Sequence, residues 1–367
     1  MMSAMERDLD TLCQQLDDAN ALATLLGFTD TDDIEALRAR AEALTLRTIG
    51  NRVHYRGLIE ISNICSQDCC YCGIRRSNDH VARYTLTQPE ILDAAQWCAA
   101  QGYGSVVLQG GENTSAAAVE FIADTVTRIK ALTRNSQQPE GLGITLSLGV
   151  QTSDVYRRWF AAGAHRYLLR VETTDPQLFA RIHPPEQTLD ERIEALQALR
   201  DVGYQVGTGV MIGLPGQTLL QLARDVLFFK TFEIDMIGMG PYQPHADTPM
   251  ADEPTMSATE RLQRALNMIA VTRLVLPTAN IASTTALQAL SPEGRELGFS
   301  YGANITMPNL TPEAARQHYL LYDEKPLYNE DTEPFGDILK RRLAKLGREV
   351  GLYEWGDSRR FTDRHRT

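Results

Sequence analysis

The chain has 367 residues, 43% of them hydrophobic and 23% charged, an ordinary globular composition that excludes a disordered or collagen-like chain. Its 36 basic residues against 47 acidic ones leave a net charge of −11, which repels phosphate backbones and argues against a nucleic-acid partner. No apolar run reaches the ~18 residues a membrane span needs. The start of the chain lacks the basic-then-apolar pattern of a secretory signal, so a cytoplasmic location is expected and the Asn-x-Ser/Thr matches at Asn113, Asn304 and Asn309 carry no glycosylation meaning.

Residues 6–22 and 31–47 read as two amphipathic helices, the second capped by Asp30 or Thr31 with Asp32 and Asp33 in its first turn. From residue 56 onward, strand-like apolar runs fall at 56–62, 105–108, 143–148, 166–170, 204–211, 235–240, 279–283 and 302–307. Helical patterns at 88–100, 115–133, 152–162, 188–202, 216–231 and 257–274 separate most of them. Gly102, Gly163 and Gly203 stand where helix C-terminal caps belong. Eight strands alternating with helices predict an α/β fold, a closed (β/α)8 barrel. The tail over 334–349 reads as one more helix outside it. The expected organisation is a helical extension over 1–50, a barrel over 51–325 and a helical tail over 326–367 packed on the barrel.

Polar and glycine-rich segments follow the strands rather than precede them, so a barrel gathers them at one mouth. The most distinctive is Cys65-Ser66-Gln67-Asp68-Cys69-Cys70-Tyr71-Cys72, which holds four of the six cysteines within eight residues. A disulfide framework spreads its cysteines, so this run reads as a metal site in a reducing compartment. Cys-x3-Cys-x2-Cys supplies Cys65, Cys69 and Cys72 as three soft thiolate ligands, enough for three irons of a [4Fe–4S] cube with the fourth open to chemistry. The alternative is structural zinc with His54 or His80 as fourth ligand, although such sites usually come as two ligand pairs. Cys70 reads as packing. Cys98 and Cys13 sit at helical spacing among apolar residues and read as core thiols. Gly207-Thr208-Gly209 begins inside a strand and is one residue out of register for a dinucleotide loop, so Gly216-Gln217-Thr218 is expected to open a helix instead. His245 reads as a structural hydrogen-bonding residue.

The segments 56–78, 83–91, 106–112, 145–149, 162–173, 210–218, 235–249 and 302–312 together resemble the radical S-adenosylmethionine (SAM) subfamily that contains biotin synthase, methylornithine synthase and the [FeFe]-hydrogenase maturase HydE, most extensively the last. The resemblance implies a complete barrel, one [4Fe–4S] cluster on Cys65, Cys69 and Cys72, and reductive cleavage of SAM to a 5′-deoxyadenosyl radical. It implies an electron donor such as flavodoxin or ferredoxin, the other hydrogenase maturases as partners, and a cysteine-ligated iron carbonyl–cyanide complex as substrate. Residue by residue, it places Tyr71 and Met211 at the adenine. It puts Gln109, Gly110, Gly111 and Glu112 around the methionyl group, and Arg170 and Glu172 at a carboxylate or ribose. Thr284, Thr285, Tyr319 and Tyr322 fall on the substrate side.

The chain departs from the HydE pattern at Val150, where an acidic residue is expected, at Val171, where a His is expected, and at Gly110 in place of Ser. No cysteine follows Cys98, so a second cluster is not expected and the sacrificial cluster of biotin synthase has no ligands. The departures leave open a HydE-like paralogue acting on a small organic molecule, in the manner of methylornithine synthase. A non-catalytic iron–sulfur carrier on the same fold is the other alternative.

Overall fold

The computed structural model describes residues 4–326 and 333–365. Eight strands, Arg52–Ser62, Ser105–Gly110, Gly143–Ser147, Arg166–Leu168, Gln205–Thr208, Met236–Ile237, Asn280–Ser283 and Ile305–Thr306, pair in sequence order and all in parallel. The last strand returns to the first with His54 opposite Ile305 and Tyr55 opposite Thr306, which closes the barrel. The predicted helices between strands are present with ends shifted by no more than three residues.

Several boundaries differ from expectation, each for a local reason. The first expected helix is two, Ala4–Cys13 and Ala19–Leu26, because the Asp18 carboxylate accepts the Asn20 N–H and starts a new N-terminus. Asp30, not Thr31, caps the helix Thr31–Thr48. The run 204–211 breaks at Gly209, where a Cβ would come within 2.0 Å of the Gly238 carbonyl oxygen; Met211–Ile212 then pairs with Gly240–Pro241 as a small rim ladder. Helices Pro176–Ile182, Thr285–Leu290 and Gly294–Ser300 are too short for their periodicity to register in the sequence. Thr218 caps the helix Leu219–Thr231 through a capping box with Gln221, so the Gly216 segment does open a helix. Gly163 and Gly203 cap in the left-handed region, while Gly102 lies one residue beyond the cap.

Strand alternation sorts the side chains. On the first strand Val53, Tyr55, Ile59 and Ile61 join the core between barrel and helices, and Gly57 lets Cys98 pack against the backbone. Arg56, Leu58 and Glu60 point inward instead. The fourth strand does the same with Arg166, Leu168 and Arg170 inside and Tyr167, Leu169 and Val171 in the core. The interior is therefore charged at the bottom, apolar in the middle and polar at the mouth. Helices Ala19–Leu26 and Thr31–Thr48 pack on the barrel helices Leu219–Thr231 and Ala258–Val275.

The C-terminal segment seals the bottom. Arg166 is fully buried and donates to the Trp355 carbonyl (2.7 Å), the Asp357 carboxylate (2.8 Å) and Thr145 Oγ1 (3.0 Å). Arg56 donates to the Gly356 carbonyl (3.0 Å), and the Trp355 ring contacts both His165 and the Lys130 ammonium. Burial pushes the Asp357 carboxyl up, but the His165 hydrogen bond and the Arg166 charge outweigh it and hold it well below the usual range. Its contribution to stability is therefore present above the ordinary carboxylate pKa and is lost as pH falls. Asp357→Ala strands the Arg166 charge inside the barrel and is expected to cost about 3 kcal/mol, read as a lowered thermal midpoint with the loss largest at neutral pH.

Candidate active site at the barrel mouth

The cysteine run leaves the first strand at Ser62 and is fixed on every side. Asn63 donates to the carbonyls of Ala82 (2.8 Å) and His318 (2.7 Å) and accepts from the Tyr84 N–H (2.8 Å). The Arg83 guanidinium gathers the carbonyls of Asn63, Ile74, Arg75 and Asn78, all within 2.8 Å. Asp68 accepts from Arg75 and Ser77, and the Arg75 hydrogen bond holds its carboxyl well below the usual range against a small burial effect. The Cys70 N–H bonds the Ile182 carbonyl (2.9 Å), and its side chain joins an apolar cluster with Ile182, Tyr242 and Met250. His245 packs on Gly73, where a Cβ would meet its ring at 2.3 Å, and accepts the Asp247 N–H (3.0 Å).

The loop after the second strand zips to this run. A Cβ on Gly111 would stand 2.3 Å from the Ile64 carbonyl oxygen, so only glycine permits the approach. That approach lets the N–H groups of Gln67 and Glu112 both reach Cys65 Sγ (3.4 Å each) and Ser66 N–H reach the Glu112 carbonyl (2.9 Å). Glu112 is buried, and its carboxylate accepts from Gln67 Nε2 and from the Val150 N–H (2.7 Å).

The fourth strand contributes the charged wall. Arg170 Nε donates to the Gly238 carbonyl (2.9 Å), which leaves the rest of its fork facing the cavity. Glu172 has a positive φ of 62°, held by backbone bonds from its N–H to the Gly209 carbonyl and from the Met211 N–H to its own carbonyl. Burial pushes its carboxyl up, opposed by Arg170 and Arg192. Arg192 donates to the Arg170 carbonyl and to Gln187 Oε1 (3.2 Å each), and Gln187 in turn lies 3.9 Å from Cys69 Sγ. The Tyr71 hydroxyl meets His183 Nε2 at 3.3 Å, while His183 Nδ1 meets the Phe179 carbonyl at 3.0 Å. Burial pushes the His183 pKa down to about 3, so the ring is neutral, donates from Nδ1 and accepts the Tyr71 proton at Nε2.

The opposite wall is Glu60, Gln109, Thr284, Thr285, Tyr319, Tyr322 and Lys325. Glu60 is 1% exposed and accepts from Lys325 Nζ and from Asn309 Nδ2 (3.1 Å). Gln109 Nε2 donates to the Tyr319 hydroxyl (3.4 Å), and Thr284 Oγ1 donates to the Met239 carbonyl (3.2 Å). The cavity together with its open mouth spans about 1510 Å³. Every site residue expected from the sequence lines it: Cys65, Cys69, Cys72, Tyr71, Gln109 to Glu112, Arg170, Glu172, Met211, Thr284, Thr285, Tyr319 and Tyr322. Sequence reasoning missed Glu60, Lys325, Gln187 and Arg192. Glu60 left a signal, an acid inside an apolar strand run; Lys325 left none because its partner is 265 residues away, and Gln187 and Arg192 left none because they lie on or just before a helix whose pattern marks only its core face.

Position bears on the two valine departures and on the zinc alternative. Val171 is fully buried in the core between Arg170 and Glu172, so this departure from the HydE pattern does not face the cavity. Val150 does border a side recess with Gln67, Glu112, Gln187 and Arg192, and its N–H serves the Glu112 carboxylate. The zinc alternative loses its histidines. His54 is at the bottom end of the first strand beside Glu354, and the strand at ~3.3 Å per residue separates it from Cys65 by roughly 25 Å. His80 is exposed and bonded to Asp247 (2.9 Å).

The three thiols border one cavity, burial raises all three pKa values, and Cys69 is pushed up to about 12. Bound iron is what would hold such groups as thiolates. The paired N–H donors on Cys65 Sγ suit an anionic sulfur, so the residues fit a three-cysteine cluster at a cavity that Gly110–Glu112 and Arg170 also line.

Residues 59–229 match the Radical SAM superfamily. The chain is 39% identical over 340 residues to the [FeFe] hydrogenase maturase subunit HydE of Thermotoga maritima, covering 92% of this chain and 93% of that protein. It is 26% identical to the 3-methylornithine synthase of Methanosarcina barkeri over 89% of each chain. Among solved structures, methylornithine synthase superposes with a TM-score of 0.76 at 24% identity, covering 94% of this chain and 98% of that one. The hydrogenase maturase HydG superposes with a TM-score of 0.79 at 19% identity, covering 98% and 81%.

Gly111→Ala forces the second-strand loop off Ile64 at a cost of about 1–3 kcal/mol. The expected result is lower iron and sulfide content after anaerobic reconstitution, with the far-ultraviolet circular dichroism of the barrel unchanged. A second test concerns Asp225, buried on helix Leu219–Thr231, which accepts from the Thr174 N–H (2.7 Å) and hydroxyl and so fixes the turn after Glu172. Burial pushes its pKa up to about 7, so the native carboxylate is penalised as pH rises from about 4 to 7. Asp225→Asn removes that slope, and its stability relative to wild type should improve by up to roughly 4 kcal/mol between those pH values in urea titrations.

Proposed function

The chain belongs to the HydE family of radical SAM enzymes, which use a [4Fe–4S] cluster and SAM, and on that premise we propose that this cavity performs the HydE step of [FeFe]-hydrogenase assembly on a cysteine-ligated iron carbonyl–cyanide complex. The observation that carries the reading is the convergence of the three cysteines, the Gly110–Glu112 loop, the Arg170–Glu172 wall and the polar far wall on one cavity, in a chain that matches HydE along nearly its whole length. When bound, the cluster and SAM would supply a 5′-deoxyadenosyl radical as the reactive species.

In this reading Cys65, Cys69 and Cys72 hold the cluster, and the donors on Cys65 Sγ stabilise its charge. The Gly110–Glu112 backbone, with Glu112 fixed by Gln67 and Val150, lies against the methionyl group. The open fork of Arg170 and the Arg192 guanidinium offer positive charge for a carboxylate, and Glu172 accepts a hydroxyl or ammonium group. Tyr71 and Met211 border the adenine. Thr284, Thr285, Tyr319 and Tyr322 present hydroxyls toward the substrate, while the Glu60–Lys325 pair anchors Tyr319 through its carbonyl. The enclosed walls keep water from a reactive intermediate.

A flavodoxin- or ferredoxin-type protein supplies the electron, and the other maturases hand over substrate and receive product. One bound cluster suffices, since no cysteine follows Cys98. The free cysteines suit a reducing cytoplasm, and among the described residues no helix is long and apolar enough to cross a membrane. The proposed boundaries, an extension over 1–50, a barrel over 51–325 and a tail over 326–367, follow the packing of the outer helices and the sealing segment 351–358.

The test is an anaerobic maturation assay with apo [FeFe] hydrogenase, the two other maturases, SAM and reductant. Hydrogen evolution should require this chain and disappear with Cys69→Ala. Protein that carries a full cluster and cleaves SAM, yet activates no hydrogenase, would overturn the maturase role and favour a small organic substrate. Protein that carries the cluster but forms no 5′-deoxyadenosine above a Cys65→Ala control would be a carrier instead.

A further inference from the structure

The far wall of the active cavity hangs on one buried ion pair. Residues 317–326 follow the short helix Glu313–Arg316 and form no further strand or helix, yet Tyr319, Leu321, Tyr322 and Lys325 from this strap line the cavity. With no ladder of its own, the strap takes its position from bonds to other segments. Asn63 Nδ2 donates to the His318 carbonyl (2.7 Å), and the Gly73 N–H donates to the Leu321 carbonyl (3.0 Å). The Asp323 N–H donates to the Pro244 carbonyl (3.3 Å), and the Asp323 carboxylate accepts the Ala246 N–H (2.8 Å). These bonds run to neighbouring loops. Lys325 makes a different one: its ammonium reaches into the barrel, to the Glu60 carboxylate on the first strand.

Glu60 is a fixed target. Its N–H donates to Thr311 Oγ1 (2.8 Å), its carbonyl accepts the Tyr84 hydroxyl (2.8 Å), and its carboxylate also accepts Asn309 Nδ2 (3.1 Å). From that anchor Lys325 holds Tyr319 twice. Its Nζ donates to the Tyr319 carbonyl (2.7 Å) and stands 4.8 Å from the centroid of the Tyr319 ring. The Tyr319 hydroxyl in turn accepts from Gln109 Nε2 (3.4 Å), at the end of the second strand and on the side assigned to SAM. Glu60 is 1% exposed and Lys325 8%. Two charges taken out of water stabilise a fold little compared with an apolar pair of the same volume, so stability does not account for them.

We propose that Lys325 is the positioning residue of the substrate wall: paired with Glu60, it sets where Tyr319 and Tyr322 stand relative to the SAM side of the cavity. The inference rests on the reading that this wall faces the substrate. Its consequence is a separation of two outcomes. With the wall displaced, SAM is still cleaved but less of that cleavage leads to product, because a misplacement of ~1 Å lowers the rate of a positioned reaction on the order of a hundredfold.

The experiment uses the reconstituted full chain in the anaerobic maturation mixture with apo [FeFe] hydrogenase, the two other maturases, SAM and dithionite. It compares wild type, Lys325→Met and the double variant Glu60→Gln/Lys325→Met. Hydrogen evolution is divided by the 5′-deoxyadenosine formed, because a chain that is merely less well folded or less well loaded loses both together. The ratio should fall about tenfold in both variants. Amide hydrogen exchange over 318–325 should quicken about tenfold, while the barrel strands exchange as in wild type. The double variant leaves no buried carboxylate without its cation, so it decides the matter if Lys325→Met folds poorly. An unmoved ratio in the double variant would overturn the proposal. Either activity is kept, and the pair only neutralises charge, or both products fall together, and the pair only supports the fold. Unchanged exchange over 318–325 would overturn it as well. Wild type that cleaves SAM yet activates no hydrogenase would instead overturn the maturase reading, and the exchange rates would then decide alone whether Lys325 holds the wall.

Discussion

The return of the eighth strand onto the first, His54 against Ile305 and Tyr55 against Thr306, is the constraint on which everything else depends. An open sheet would leave its strand ends along an edge. Closure gives all eight strands one shared interior, and the two-residue period of a strand then dictates which side chains enter it. Arg56 and Arg166 form the bottom of that interior, Leu58 and Leu168 the middle, and Glu60, Gln109 and Arg170 the top. Because the strands are parallel, every loop at their C-terminal ends meets at one mouth.

The two ends of the barrel solve opposite electrostatic problems. At the bottom the cations face no substrate, and the chain covers them with its own segment 351–358, where carbonyls and Asp357 satisfy Arg166. At the mouth the polar groups are left only partly satisfied. Arg170 uses one of its donors on Gly238, and Glu172 is held in a strained backbone conformation beside two cations. Strain and incomplete hydrogen bonding collect where a ligand completes them. The strain is affordable because the ladder from Gly209 to Met211 and the buried Asp225 fix the turn on both sides.

Glycine has a particular part in bringing distant segments together. Gly111 lets the second-strand loop touch the cysteine run, Gly73 lets that run sit under His245, and Gly209 lets the chain after the fifth strand lie close against Gly238 after the sixth. The contacts at Gly111 and Gly209 are backbone against backbone, so they transmit position without depending on side-chain rotamers, whereas Gly73 makes room for the His245 ring.

Read alone, the sequence determined the repeating strand–helix order, the cysteine run and the segments that follow each strand, because these are written in local periodicity and spacing. Strand C-terminal ends marked the segments that gather at the mouth, and the family resemblance singled out individual residues, Tyr319 and Tyr322 among them, that the structure brings to the same cavity. Tertiary structure alone decided which member of each local group faces inward. Val171 looked like a change in the site and is core, because it falls on the other side of the strand from Arg170. Glu60 looked like one acid in an apolar strand and is the buried partner of Lys325, separated from it by 265 residues of chain. Arg192 and Gln187 lie on or just before a helix whose pattern marks only its core face, and they reach the cysteine run because barrel closure carries that helix past it. Periodicity is a property of neighbours along the chain, whereas the pairing of buried charges is settled only when remote segments are packed together and water is removed.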